Sequence, residues 1–502
     1  MSSTFIIRFQ KLSTVGLYTG RVMLVLAGIM VVPLITSLLF GELPIILDFL
    51  VGISITSIVG FSLLLICSRG SRDISWTQSM IVVSLSWLLA MILSAIPYYL
   101  SGYWRSYLDA MFDVMSGFTT TGLVLGQDLD HMPYGINMWR HLLTWIGGQG
   151  IIVLALSFFT KGSPGAFKLY VGEGKDERLQ PNVINTTRAI WYVSVVYLFV
   201  GTFILWITGI FVGLPVIKAL FHGLWIFMAA WSTGGFAPQS QNVIYYHSRV
   251  YEIITMIFFI IGSFNFNLHW AVWTGNRKEI YRNLETVTFS ITATVLSTIA
   301  IWELSKLNVY PDAISLLSRG YYSILSAHTT TGFMTIYARQ FVLDWGPLAL
   351  MAITVAMLFG GSASSTAGGF KAVRVGVAFK TVIYEIKRLL APERAVIVEK
   401  IHMGRDIVLE DRYVRIALTI IFLYTISWFI LTFITNACGY DLPSSMFESA
   451  SAIGNVGLSC GVTNPDMPSI LKVAYILGMW IGRLEFMAVF VFIGEFIRTL
   501  RR

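Results

Sequence analysis

The chain has 502 residues, of which 56% are hydrophobic and only 12% charged, and its mean hydropathy is +0.72. A soluble domain carries roughly 25% charged residues, so that class is excluded. The formal net charge of +8 does not indicate nucleic acid, because the basic residues follow a membrane pattern.

In chain order, Val22 to Leu39 is the first uncharged apolar run. It is too long for the apolar region of a signal peptide, and no small-residue cleavage site follows before the next span, so it reads as retained. Ile46 to Cys67 carries only Asp48, and Ile81 to Leu100 carries no charge. Each run is close to or beyond the ~20 residues a spanning helix needs. Continued to the end, the pattern predicts about ten spanning helices: 17–41, 46–68, 77–100, 138–160, 189–212, 250–274, 284–306, 345–388 with a break, 411–436 and 469–497. Six segments (1–21, 69–73, 161–188, 277–282, 371–415 and 498–502) hold 26 of the 35 Lys and Arg and alternate with the apolar runs. By the positive-inside rule they mark the cytoplasmic face, with both termini inside. Arg483 reads as the lone basic residue within a span.

The first two spans form a pair. The other eight form four pairs, each joined by an outer segment too apolar for a domain and too rich in Gly and Thr for a clean span. These segments resemble one another: LDAMFDVMSGFTTTGL from Leu108, IKALFHGLWIFMAAWSTGGF from Ile217, ISLLSRGYYSILSAHTTTGF from Ile314 and SSMFESASAIGNVGL from Ser444. Each runs from a short helical stretch into small and hydroxyl residues, then Gly followed by Leu or Phe. Such an internal repeat sets the architecture. The predicted fold is an all-α integral membrane protein, with four helix–pore loop–helix units around one pore and an N-terminal two-helix unit. The predicted units are 1–70, 71–165, 166–276, 277–395 and 396–502.

Non-helical backbone at membrane depth is tolerated only where protein covers it or it lines a cavity. A dehydrated cation satisfies such carbonyls, and rings of carbonyls make cation filters. Glycine suits a strand that needs unusual backbone angles and close approach. The predicted filter is Thr120, Thr121 and Gly122; Thr233, Gly234 and Gly235; Thr330, Thr331 and Gly332; and Asn455, Val456 and Gly457. Their backbone would hold the ion. Each short helix would aim its partly negative C-terminus inward. Ordinary outer loops are the plainer reading, weakened by the fourfold recurrence.

Two features bear on gating. The eighth span is interrupted by Gly360, Gly361, Ser362, Ser364, Ser365, Thr366, Gly368 and Gly369, a composition that breaks helices. A flexible loop below the filter is expected, with a Gly-rich helix contact as the alternative. No Gly-Lys-Ser/Thr follows, so it is no phosphate loop. Arg483 inside the last span is costly and so a functional candidate, either a fixed positive charge beside the pore or a structural contact. Asp109, Asp113, Asp128 and Asp130 either concentrate cations at the mouth or form a solvated face. Glu448 reads as a helix-positioning hydrogen bonder, and His222, His269 and His328 as polar packing. Cys67, Cys438 and Cys460 have no metal spacing; the last two share the outer side, where a bridge is possible.

Taken together, the four segments ending at Gly122, Gly235, Gly332 and Gly457, WIGGQGIIV from Trp145, GGSASSTAGGFKAVR from Gly360 and GRLEF from Gly482 resemble the Trk/Ktr/HKT superfamily of potassium transporters. The extra N-terminal pair is similar to the bacterial TrkH branch. The resemblance implies K⁺ uptake across the bacterial inner (cytoplasmic) membrane, with K⁺ as the transported ion and no organic cofactor. It implies a homodimer with one pore per subunit, and a cytosolic nucleotide-binding regulatory partner of the TrkA type. It also assigns the broken span to the gate and Arg483 to a constriction. The basic stretch 371–415, interspersed with Glu385, Glu393 and Glu399, is a candidate dock for that partner or a contact with membrane lipid. The second and fourth filter segments, STGGF and GNVGL, depart from the TTTG pattern, which leaves K⁺ selectivity open.

Two other classes are weighed. A carrier coupled to H⁺ or Na⁺ also uses broken helices around a midplane site, but carriers usually show two halves rather than four units. A membrane enzyme or sensor needs convergent ionisable side chains. No nucleophile–base arrangement stands out, and the spans are nearly devoid of such groups.

Overall fold

The computed structural model describes residues 3–71, 73–157, 166–173, 183–392, 395 and 397–501. Lys161, Lys175 and Arg178 of the basic segment 161–188, and Glu393 and Arg394 of 371–415, lie outside the described residues. Among these described residues, six helices are long and apolar enough to cross a bilayer: Leu12–Phe40, Leu43–Ile66, Trp76–Leu100, Ile184–Phe211, Leu284–Lys306 and Asp411–Ala437. The first two make the N-terminal pair. Each of the others is the leading helix of one repeat. Their outward faces carry Phe199, Phe211, Ile291 and Phe433, all exposed, as suits a lipid-facing surface.

The second helix of every repeat is broken. In repeat 1, Tyr134–Gln149 gives way to Ile151–Ser157 at Gly150, whose φ is +104°. In repeat 2, Arg249–Gly262 bends by 99° into Phe266–Trp273. In repeat 3, Gly346–Phe359 and Ala372–Leu390 flank the Gly-rich loop. In repeat 4, Ser469–Arg483 bends by 117° into Met487–Thr499. The intact and broken helices fall on the ten runs in the sequence, and with the two bent pairs the helices long and apolar enough to cross a bilayer number up to eight among the described residues. Only the third break is announced by composition.

Freed backbone groups at these breaks find buried polar partners, as membrane depth demands. The Glu173 carboxylate accepts from the amides of Ile152 at 2.9 Å and Val153 at 2.8 Å. It thereby caps the new helix start and complements its dipole. Asn265 caps the amide of Asn267 at 2.8 Å. Glu285 accepts from the amide of Ala363 at 2.6 Å and from Asn265 at 3.3 Å, so one carboxylate serves two breaks.

Between the paired helices lie four short ones: Tyr107–Phe118, Val216–Trp231, a run from Ala313 to His328 and Leu442–Gly454. Ser106, Asp312 and Asp441 cap three of them through side-chain oxygens, which satisfies otherwise unpaired amides. The third contains a π-helical turn, Leu316–Tyr321. Among the described residues the strands form one hairpin, Lys400–His402 with Asp406–Val408.

Candidate functional site

Each short helix runs directly into a short extended segment, and the four segments share one backbone pattern. Thr120, Thr233, Thr330 and Asn455 have φ of +55°, +50°, +56° and +55°. Two residues later, Gly122, Gly235, Gly332 and Gly457 have φ of +96°, +63°, +84° and +94°. The residue between them turns its amide back to its own helix: Thr121 to Ser116 O, Gly234 to Ala229 O and Thr331 to Ser326 O at 2.8 Å, and Val456 to Ser451 O at 2.9 Å. Asn455 fits a left-handed position without being glycine, as Asn does more readily than most residues. Its Nδ2 donates to Thr121 Oγ1 at 3.1 Å and Met479 O at 2.9 Å.

The four glycines close a ring. A Cβ on Gly122 would lie 2.7 Å from the Gly234 oxygen. One on Gly235 would strike the Thr331 oxygen, one on Gly332 the Val456 oxygen, and one on Gly457 the Thr121 oxygen. The order is repeat 1 to 2 to 3 to 4 and back to 1, so all four segments surround one axis. The carbonyl oxygens of Thr121, Gly234, Thr331 and Val456 accept no hydrogen bond among the described residues. Such a ring of free carbonyls can replace a cation's hydration shell. The short helices end beside it, with their partly negative C-termini facing the axis.

Outside the ring lies a cavity of about 320 Å³, lined by Gly122, Gly235, Gly457, Asp128, Asp130 and Arg140 among others. Of the four acidic residues in the first outer segment, only Asp128 and Asp130 reach it. Asp109 and Asp113 are buried. Asp109 is paired with the equally buried Lys472 at 2.6 Å, and Asp113 accepts from the amides of Leu125 and Gly126. Arg483 is not the lone basic residue within a span: Lys472 lies on the same helix, and Arg140 is a further one. It lies inside Tyr134–Gln149, donates to Asn137 Oδ1 and Ala237 O at 3.2 Å, and stacks over the Phe236 ring at 4.9 Å.

Below the ring, the loop from Gly360 to Gly369 is packed in place, and every glycine and hydroxyl residue in it is buried. Thr366 is its hub. Its hydroxyl donates to Gly262 O at 2.8 Å and Trp231 O at 3.0 Å and accepts from Thr233 Oγ1 at 3.3 Å. Gly368 N donates to Thr330 Oγ1 at 2.7 Å. Arg483 reaches across from repeat 4, donating to Thr366 O and Gly147 O at 2.6 Å and Gly148 O at 2.9 Å. One guanidinium therefore joins repeats 1, 3 and 4.

Beneath it, a cavity of about 10 Å³ is lined by Arg483, Lys371, Glu173 and Glu485 among others, room for about one water. Arg374 pairs with Glu485, and Lys371 donates to Ala367 O. Both cations belong to the basic stretch 371–415, yet both are buried. Their signal was adjacency to the Gly-rich loop.

The remaining candidates fall outside the axis. His222 bonds the Tyr246 hydroxyl at 2.9 Å, His328 the Thr292 hydroxyl at 2.8 Å and His269 the Ile261 carbonyl at 3.1 Å, which is polar packing. All three cysteines are free. Cys460 sits against Glu448 rather than Cys438, with its sulfur 3.3 Å from Oε2.

Comparison with known proteins agrees with this architecture. Residues 46–496 match the TrkH family, described as a cation transport protein. An uncharacterized cation transporter of Methanocaldococcus jannaschii is 32% identical over 96% of this chain and 95% of its own length. The Trk system potassium uptake protein TrkH of Salmonella typhimurium is 28% identical over 93% of this chain and 95% of its own length. The crystal structure of the potassium transporter TrkH from Vibrio parahaemolyticus superposes with a TM-score of 0.80 at 23% identity, covering 96% of this chain and 98% of that one.

Proposed function

The chain belongs to the TrkH family of cation transport proteins, and we propose that its cation is potassium, taken up through the carbonyl ring centred on Gly122, Gly235, Gly332 and Gly457. It is a multi-pass membrane transporter, not an enzyme. The observation that carries the potassium reading is the closed cycle of glycine-to-carbonyl approaches around one axis. A dehydrated ion needs several oxygens at once, and a ring of four segments supplies them symmetrically. The left-handed residue two places before each glycine supports it further, because that turn recurs in all four segments despite their different sequences.

In this reading the filter is formed by Thr120–Gly122, Thr233–Gly235, Thr330–Gly332 and Asn455–Gly457, with the unit boundaries taken from the sequence. The loop Gly360–Gly369 and Arg483 are the gate, held closed. The partly buried charge of Arg483 opposes a cation below the filter, and its three carbonyl contacts keep the loop against Thr233 and Thr330. Release requires those contacts to break together. The termini and basic segments face the cytoplasm of a bacterial inner membrane. The stretch 371–415, with the hairpin Lys400–Val408, docks a TrkA-type nucleotide-binding subunit, and the transporter works as a homodimer in contact with lipid. Four units around one axis favour a channel-like pore over an H⁺- or Na⁺-coupled carrier.

The test is rubidium uptake into proteoliposomes by the Gly235→Ser and Gly332→Ser variants, competed with K⁺ and Na⁺. A side chain at either position intrudes on a neighbouring carbonyl, so the preference for K⁺ over Na⁺ should fall. Unchanged preference in both variants removes the filter assignment.

A further inference from the structure

Nine residues before the glycine of repeat 1 stands Asp113, and nine before that of repeat 4 stands Glu448. Both are fully buried, so each carboxylate requires partners. Asp113 Oδ1 accepts from the amide of Leu125 at 2.6 Å, and Oδ2 from the amide of Gly126 at 3.1 Å and the indole of Trp104 at 2.8 Å. Glu448 Oε2 accepts from the amide of Cys460 at 2.9 Å, and Oε1 from the amide of Thr463 at 3.0 Å and the hydroxyl of Ser459 at 2.8 Å. Leu125 and Cys460 hold the same place, three residues past the glycine. Each acid thus bridges its short helix to the strand leaving the filter, and the carbonyl-bearing arc lies between the two fixed points.

Repeats 2 and 3 lack this device. The matching acid positions hold Ile226 and Ser323, and the matching strand positions Pro238 and Thr335. Pro238 has no amide hydrogen to give. Ser323 donates instead to Arg319 O of its own helix at 2.6 Å. One amide serves both strands: Asn242 donates to Gly235 O at 3.3 Å and accepts from the amide of Met334 at 3.2 Å. Acceptor and donor are present together in repeats 1 and 4 and missing together in repeat 2.

We propose that Asp113 and Glu448 are positioning residues for ion selectivity, clamping the filter strands of repeats 1 and 4 while repeats 2 and 3 form the compliant half of the ring. The proposal rests on the carbonyl-filter reading. Bonds from amides to a carboxylate are short and strong, so they fix strand position better than the neutral amide of Asn242. A ring that discriminates between ions by oxygen placement depends on such restraint. Asp and Glu differ by one methylene, so each clamp also sets its own reach.

The experiment compares K⁺ and Na⁺ as competitors of rubidium uptake in proteoliposomes for Asp113→Asn, Glu448→Gln, and the length variants Asp113→Glu and Glu448→Asp. Losing a charge-assisted clamp should lower the ratio of K⁺ to Na⁺ block by about tenfold in the amide variants, with uptake itself retained and the length variants falling between. Amide exchange in the unmodified protein gives a second readout, since Leu125, Gly126, Cys460 and Thr463 should exchange more slowly than Ala237 and Gln239. Amides that exchange equally fast, or block ratios unchanged in Asp113→Asn and Glu448→Gln while Gly235→Ser and Gly332→Ser shift them, overturn the clamp and leave the filter standing. Ratios unchanged in all of these variants overturn both.

Discussion

Arg483 Nη2 donates to the carbonyl oxygen of Gly147 at 2.6 Å, joining the last broken helix to the first across the axis below the glycine ring. The acceptor is free because the repeat 1 helix ends two residues later, at Gln149. The donor sits where its own helix ends, at Arg483 itself. Two helix breaks in different repeats thus create one bond, and a straight helix in either place would leave it unmade.

Replacing Arg483 by Ala should therefore raise basal rubidium uptake. Three charge-assisted contacts are lost, and a loss of only about 1.4 kcal/mol of closed-state stabilisation is a tenfold gain in the open population. Arg483→Lys keeps the charge but not the planar fork, so its basal uptake should lie between. Flux from proteoliposomes without any added partner is the measurement.

Thr366→Val removes the hydroxyl that ties the loop to Trp231, Gly262 and Thr233. Basal uptake should rise, and by less than additively when combined with Arg483→Ala, because both act on the same contact set. Fully additive effects would separate the loop from the arginine.

The pair Lys472–Asp109, 2.6 Å apart and buried between repeats 4 and 1, should matter for assembly. Lys472→Met leaves an unpaired carboxylate in the interior, a change that costs about 3–5 kcal/mol. The thermal midpoint in detergent should drop, and adding Asp109→Asn should restore part of it.

In the hairpin, His402 bonds Asp406 at 2.6 Å and Glu279 at 3.2 Å. The Asp406 bond, opposed by slight burial and aided by Glu279, holds the imidazole above its ordinary pKa. A raised histidine contributes stability in full below its unfolded value and loses it as pH rises through the folded one. Burial pushes Glu279 up, but bonds from His402, Asn283 and Gly404 outweigh it and leave the carboxyl low. That contribution is present above the ordinary carboxylate range and is lost on acidification. Hairpin amide protection should thus be greatest at mildly acidic pH and decline above the ordinary histidine value, and His402→Ala should remove the decline.

Much of this was legible in the sequence because membrane helices write themselves in hydropathy. The four segments that meet at the glycine ring were legible too, since they recur between spans. Three helix breaks were not. Gly150 is one glycine among many, and Ser263–Asn265 carries no Gly or Pro. Phe486 holds a φ of +69° only because it is fully buried and packs on Tyr424 with ring centroids 4.8 Å apart. The acids of the first outer segment misled for a similar reason. Asp109 and Asp113 look like mouth charges or a solvated face until tertiary packing supplies Lys472 and the amide of Leu125. The buried role of Lys371 and Arg374 was masked by their membership in a basic run.

Rubidium uptake by the unmodified protein in proteoliposomes reads out whether the glycine ring passes potassium in preference to sodium. Strong block by external K⁺, with little by Na⁺ or choline, is expected of a potassium-selective ring. Block by Na⁺ as effective as by K⁺ would contradict that reading, as would uptake that stays absent in Arg483→Ala with the 360–369 loop shortened.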